Sequence, residues 1–237
     1  MKADLLYEGK AKRVHEAKDQ PGKLVLSYKN DATAFNGKKK ATFSGKGRLN
    51  NEISSRIFRL LHDYGTETHF IKQLNETEQL VQQTEIIPLE VVVRNQASGS
   101  ITGRLGLDEN TQFNPPIIEL FYKNDELGDP LINDDHALVL SDVTGNELKE
   151  IKEKALEINH QLQKVFQTIN ITLVDFKIEF GRLASGCIVL ADEISPDTCR
   201  LWDITTQEKL DKDVFRQGTG DLLAVYREIL KRLEEIS

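Results

Sequence analysis

The chain has 237 residues, 39% of them hydrophobic, and its 31 Lys and Arg against 38 Asp and Glu leave a formal net charge of −7. That length supports one or two domains with a sizeable core, and the acid surplus excludes a general binder of polyanions such as nucleic acid, though not a small anion held by a few placed cations. No apolar run reaches the ~18–20 residues of a membrane helix, Met1-Lys2-Ala3-Asp4 lacks a signal-peptide core, and Cys187 and Cys199 form no CxxC pair, so a reducing, cytoplasmic setting is expected.

In chain order, residues 5–14 and 24–28 read as strands joined by a turn containing Pro21 and Gly22. Residues 30–47 form a polar, lysine-rich loop or irregular β segment. A helix begins near Arg48, with Leu49, Ile53, Ile57, Leu60, Leu61 and Tyr64 at helical spacing and Gly65 as its stop. Short strands are predicted at 69–73 and 78–82. Residues 86–93 are nearly all apolar, as in a strand buried on both faces, and 117–123 is a further strand. Leu148, Ile151, Ala155, Ile158, Leu162, Val165 and Ile169 make one apolar stripe on a long helix over 147–169. Strands at 172–180 and 187–191 and a helix over 220–236 complete an α+β chain with a smaller β-rich N-terminal part.

The most informative segment is 173–181. Alternation along a strand puts Val174, Phe176, Ile178 and Phe180 on a core face and Asp175, Lys177 and Glu179 on the other. A solvated face with cross-strand ion pairs is the commoner reason for such alternation, and the partner strand tips the balance toward a site. The short connection to 187–191 predicts an antiparallel hairpin that brings Asp192 within a residue or two of Glu179. Two convergent carboxylates need a cation between them, and Mg²⁺ with nucleotide phosphates is the usual one.

Arg94 ends the buried strand 86–93, where it either closes an internal ion pair or binds an anion bidentately. Ser98-Gly99-Ser100 follows it with small residues and hydroxyls. In Gly9-Lys10-Ala11-Lys12, a strand would put both lysines on one face to straddle a polyphosphate, or would simply make a protected edge. Turn chemistry explains most of 122–136, leaving Lys123 and Asp129 of interest. Arg200 and Arg216 either meet an anionic substrate or pair with nearby aspartates.

Tyr7-Glu8-Gly9-Lys10-Ala11-Lys12, Pro88-Leu89-Glu90 through Arg94 to Gly99-Ser100, the run 173–181 and Asp192-Glu193-Ile194-Ser195-Pro196-Asp197 occur in this order. On these motifs the chain resembles the SAICAR synthetase (phosphoribosylaminoimidazole-succinocarboxamide synthase) family over nearly its whole length. The resemblance implies a two-lobe α+β fold: a β-rich lobe over 1–84 with a nucleotide-covering hairpin and one helix, and a mixed lobe over 85–237 with the substrate and metal site. It implies a ligase of de novo purine biosynthesis that converts ATP, CAIR (a phosphoribosyl carboxylate) and L-aspartate to SAICAR, ADP and phosphate, with Mg²⁺, as a homodimer. Carried over by motif, Lys10, Ala11, Lys12, Val14, Leu24, Ile86 and Lys123 lie on the ATP side, and Glu179 and Asp192 hold Mg²⁺ and phosphates. Arg94, Ser100, Asp175, Lys177, Arg200 and Arg216 hold CAIR, with Lys177, Asp175 and Arg94 nearest the chemistry and Arg94 orienting rather than reacting. Asp129 faces a second metal near the CAIR carboxylate. Where the family often has a small residue before Asn/Asp-Gly, this chain has Phe35 before Asn36-Gly37. A small-molecule kinase and a non-catalytic nucleotide-binding module are the competing readings.

Overall fold

The computed structural model describes residues 2–34 and 38–236, so the Phe35-Asn36-Gly37 departure lies outside the described residues. The N-terminal elements are β1 (Lys2–Glu8), β2 (Lys12–Ala17), β3 (Lys23–Tyr28), β4 (Asp31–Ala34), β5 (Lys39–Thr42), α1 (Lys46–Asp63), β6 (Phe70–Gln73) and β7 (Glu78–Gln82). They are followed by β8 (Glu85–Gln96), α2 (Ser100–Leu105), β9 (Gln112–Tyr122), β10 (Leu131–Ile132), α3 (Asp134–Leu140) and α4 (Gly145–Thr168). The chain closes with β11 (Ile171–Arg182), β12 (Ile188–Ala191), β13 (Cys199–Asp203), α5 (Asp213–Gln217) and α6 (Leu222–Glu234). No helix among the described residues is long and apolar enough to cross a membrane.

The fold is α+β. One antiparallel sheet runs β1-β2-β3-β7-β6, a second runs β10-β9-β8-β11, and β4 pairs with β5 alone. At the far edge of the second sheet, β12 pairs with the C-terminal part of β11 and β13 with its N-terminal part. The long helix α4 packs on β8 and β11, and α1 packs on α6. All seven residues of the predicted α4 stripe are buried, because a helix facing a sheet must present one apolar side. Its start is the sequence-legible capping box: Glu147 N donates to Thr144 Oγ1 and Thr144 N donates to a Glu147 carboxylate oxygen. Arg182 and this cap hold the Glu147 carboxyl down at about 2.

The structure corrects four local readings. Residues 5–14 are not one strand: Gly9 N donates to Lys12 O, closing a turn between β1 and β2. Lys10 therefore sits in the turn and Lys12 on β2, and they do not share a strand face. β8 is not buried on both faces: Ile87, Leu89, Val91 and Val93 enter the core, while Ile86 and Glu90 face a cavity. On β11, a register shift against β13 falls between Leu173 and Asp175. Ile171 and Leu173 share the main core with Phe176, Ile178 and Phe180, and Val174, though buried, does not belong to that core. A bulge inserts one residue and flips the alternation beyond it. Finally, α2, α3 and α5 and strand β13 lie where no element was expected.

Candidate active site

The site forms where the edge of β11 is left open. Glu179 pairs with Ala191 of β12 and Phe176 with Cys199 of β13, and between them residues 192–198 leave the sheet. Asp192 begins this excursion in the left-handed region, at φ 63. Aspartate tolerates that region better than most non-glycine residues, and strained backbone gathers at functional sites. The loop returns through Thr198, whose carbonyl accepts from Lys177 N at 2.8 Å.

A cavity of about 330 Å³ opens over this gap, between the first sheet and the second. Val14, Leu24, Leu26, Val81 and Ile86 give it an apolar wall. Lys10, Ala11, Lys12, Lys123, Lys177, Glu179, Asp192 and Asp129 also line it, so every residue read as nucleotide- or metal-facing is gathered around one space. It shares Lys10, Asp31, Asp125 and Asp129 with an adjoining cavity of about 600 Å³.

Its charges are paired in detail. Lys12 bonds Asp192 and, at 3.0 Å, Glu193. Lys177 donates to Glu90 at 2.9 Å and to Glu179 at 2.8 Å, and Lys123 also bonds Glu179. Lys10 reaches Asp125 at 2.7 Å. Burial opposes the charge on Asp192, but Lys12, Lys177 and Lys123 outweigh it and hold its carboxyl below the usual range. Burial likewise opposes the charge on Lys177, and Glu179 and Glu90 overcome it and raise its pKa. His69, also on the cavity wall, is pushed down to about 3 by burial and adds no charge at neutral pH.

Arg94, Asp175, Arg200 and Arg216 do not line this cavity. They form a second group beside it, joined to the first through the shared face of β11. Arg94 is 3% exposed and donates to Glu119 at 2.7 Å and Asp175 at 2.6 Å. Of the two readings of Arg94, the internal ion pair is therefore present. Asp175 also accepts from Arg200 Nη1 at 2.8 Å, Asp213 accepts from Arg200 Nε at 2.9 Å, and Arg216 bonds Asp213. Arg104 closes the other end on Glu119 at 2.5 Å. Ser100 starts α2 on the surface next to Gly99, whose backbone passes close to the Arg200 guanidinium.

The aspartate expected beside Arg200 and Arg216 is Asp213, whereas the sequence does not single out Glu90, Glu193, Glu119 or Lys46. Glu90 carried a signal, being an acid in an apolar strand that pairs in register with Glu179. Lys46 carried none: it is fully buried, and bonds Asp197 from the first turn of α1.

Among the described residues, no three acidic, His or Cys side chains gather as a metal cage. Glu179 and Asp192 instead offer two hard oxygen donors on one cavity wall, the pattern by which Mg²⁺ is held by one or two carboxylates together with substrate phosphates. Asp129 Oδ1 accepts from Asn124 N at 2.9 Å, which leaves its other oxygen available. Lysines that can exchange a carboxylate for a phosphate, beside an apolar wall, suit a nucleoside polyphosphate. The adjacent arginines suit a second, smaller anion.

The profile of the SAICAR synthetase family matches residues 5–233. The phosphoribosylaminoimidazole-succinocarboxamide synthase of Oceanobacillus iheyensis is 68% identical over 234 residues, covering 99% of each chain. The crystal structure of the synthase of the same name from Ehrlichia chaffeensis superposes with a TM-score of 0.94 at 47% identity, covering 98% of each chain. A SAICAR synthetase in complex with ADP superposes with a TM-score of 0.92 at 51% identity, covering 96% of each. Motifs, fold and overall similarity agree across the full length, and the chain belongs to the SAICAR synthetase family.

Proposed function

We propose that the chain is an ATP-dependent ligase of de novo purine biosynthesis, joining the carboxylate of CAIR to the amine of L-aspartate to give SAICAR, ADP and phosphate. One observation carries this beyond family membership. A single strand face of β11 presents Lys177 and Glu179 to the cavity and Asp175 to the arginine group, so two anions bound there would meet across Lys177. ADP in the 51% identical structure supports the cavity as the nucleotide site.

In this reading the apolar wall receives the adenine, and Lys10, Lys12 and Lys123 receive phosphates. Mg²⁺, held by Glu179 and Asp192 with Asp129 near a second ion, would neutralise phosphate charge. Arg94, Ser100, Arg200 and Arg216 hold CAIR, Arg216 at its phosphate, with Asp175 fixing the arginines. A carboxylate oxygen of CAIR takes the γ-phosphoryl group and ADP leaves. The aspartate amine then attacks the carbonyl carbon, the C–O bond to phosphate breaks, and the amine loses a proton. Lys177, beside both anions, stabilises charge on the transferred group, so this chain contributes mainly positioning and electrostatics. The lobes 1–84 and 85–237 close over the substrates, and the enzyme works in the cytoplasm as a homodimer.

The test is ADP and SAICAR formation by the purified protein. Both are expected only with ATP, CAIR and aspartate together. ADP formation at an undiminished rate without aspartate favours the kinase reading, and no turnover with all three overturns the assignment. ¹⁸O from the CAIR carboxylate is expected in the released phosphate, and its absence excludes the acyl phosphate.

Gly99 offers a narrower check. Its φ is +65, and a Cβ there would lie 2.4 Å from Arg200 Nη2. Asp175 and Asp213 hold that guanidinium, so it cannot move aside freely. Gly99→Ala is expected to raise KM for CAIR about tenfold while KM for ATP stays within about threefold, because a small misplacement of a clamp is costly. Steady-state kinetics with each substrate varied reads this directly.

A further inference from the structure

Lys212 is the cation of the cavity that the proposed function leaves unused. It lines the cavity beside Asp197 and Thr198, with its side chain 13% exposed. Lys10, Lys12, Lys123 and Lys177 each hydrogen-bond a carboxylate. Lys212 does not: its nearest acid oxygen, Asp197 Oδ1, is 3.8 Å away, beyond hydrogen-bond reach.

Asp197 has no need of it. Lys46 bonds Asp197 Oδ2, Asn50 Nδ2 donates to the same oxygen at 2.9 Å, and Tyr226 Oη donates to Oδ1 at 2.5 Å. With Asp197 compensated from α1 and α6, Lys212 is not required as its counter-ion. Burial depresses the Lys212 pKa; Asp197 and Glu193 oppose this, and Lys46 and Arg216 add to it. A largely desolvated ammonium at a cavity wall with no carboxylate in hydrogen-bond reach is a costly arrangement. Its retention at a cavity wall points to an anion that arrives from solution.

Which anion follows from elimination within the ligase reading, on which this inference rests. The nucleotide phosphates fall to Lys10, Lys12 and Lys123, and CAIR to Arg94, Arg200 and Arg216. The carboxylates of the amino acid have no cation assigned. Lys212 stands next to Asp213, which holds Arg200 and Arg216, and lines the same cavity as Lys177, whose backbone N donates to Thr198 O. It thus sits between the nucleotide group and the arginine group, where the attacking amine must arrive. We propose that the Lys212 ammonium binds a carboxylate of the aspartate substrate.

The test uses the full chain with Lys212→Met and Lys212→Arg. Lys212→Met is expected to raise KM for aspartate by about tenfold or more, the loss of one charge-assisted hydrogen bond, with KM for ATP and CAIR within about threefold. Succinate, which carries both carboxylates without the amine, should inhibit wild type competitively against aspartate, and its Ki should rise in parallel. Lys212→Arg keeps the charge and should recover most of the aspartate affinity. In wild-type protein, saturating succinate should slow acetylation of Lys212, read by peptide mass spectrometry, without protecting the exposed Lys149; this measurement does not depend on any variant folding. A rise in KM for CAIR with that for aspartate unchanged overturns the proposal, as does acetylation of Lys212 indifferent to succinate. Wild-type protein that consumes no aspartate would instead overturn the ligase reading, so the two failures are distinct.

Discussion

Glu179→Gln is expected to lower kcat by about 10²–10³-fold, the loss seen when one preorganised charge is removed from a reaction centre. Glu179 is 3% exposed and accepts from both Lys123 and Lys177. Glutamine keeps its shape and one acceptor oxygen but loses the charge that orients both ammonium groups. It also leaves only one of the two hard donors on that wall, Asp192, with a negative charge to hold a cation. Lys177 retains Glu90 at 2.9 Å, whereas Lys123 has no second carboxylate among the described residues. The fold should therefore survive, and near-native circular dichroism with a modest fall in Tm checks that it has. Asp192→Asn is expected to act similarly, because Lys12 keeps Glu193 at 3.0 Å. The double variant should lose much less than the product of the two single effects, since groups that hold one ligand act as a unit. Full SAICAR synthesis by both single variants would overturn this site assignment.

How far this site was legible in the sequence differs residue by residue. Asp175, Lys177 and Glu179 share a face because a strand repeats every two residues, and no tertiary knowledge is needed to see it. The same rule fails one step earlier, at Val174, because a bulge against β13 depends on a partner strand 25 residues away (Asp175 pairs with Arg200). Lys10 and Lys12 do not share a strand face because Gly9 N donates to Lys12 O and closes a turn there. The helices α2, α3 and α5 have six, seven and five residues, too few for an apolar period to establish itself. The Lys46–Asp197–Tyr226 cluster joins α1, the 192–198 loop and α6, and nothing local announces it. Local periodicity conveys which side chains share a face. The identity of a buried charge's partner is decided by topology: Arg94 and Arg200 stand out in the sequence, but only the fold brings both onto Asp175.

Arg94→Met is expected to destabilise the protein by about 3 kcal/mol, the lower end of the ~3–5 kcal/mol typical when one partner of a buried ion pair is removed. The lower end applies because neither abandoned acid is left alone: Glu119 keeps Arg104 at 2.5 Å and Asp175 keeps Arg200 at 2.8 Å. For a chain of this size that corresponds to a fall in Tm of about 6–12 °C. Arg94→Lys should recover little, because an ammonium cannot reproduce the fork that reaches Glu119 and Asp175 together. A Tm within about 2 °C of wild type for Arg94→Met would mean that the network contributes no stability. The same network has a second, separable consequence. Among the described residues, Arg104, Arg94, Arg200 and Arg216 form ion pairs with Glu119, Asp175 and Asp213, four cations on three acids in a protein whose net charge is −7. An anion that binds the folded state at this surplus must raise Tm by mass action. Inorganic phosphate is therefore expected to stabilise wild type in a concentration-dependent way, and Arg94→Met should lose most of that increment on top of its lower starting Tm. If phosphate stabilised both proteins equally, the surplus charge would be an element of folding alone, and the second anion of the reaction would have to bind elsewhere.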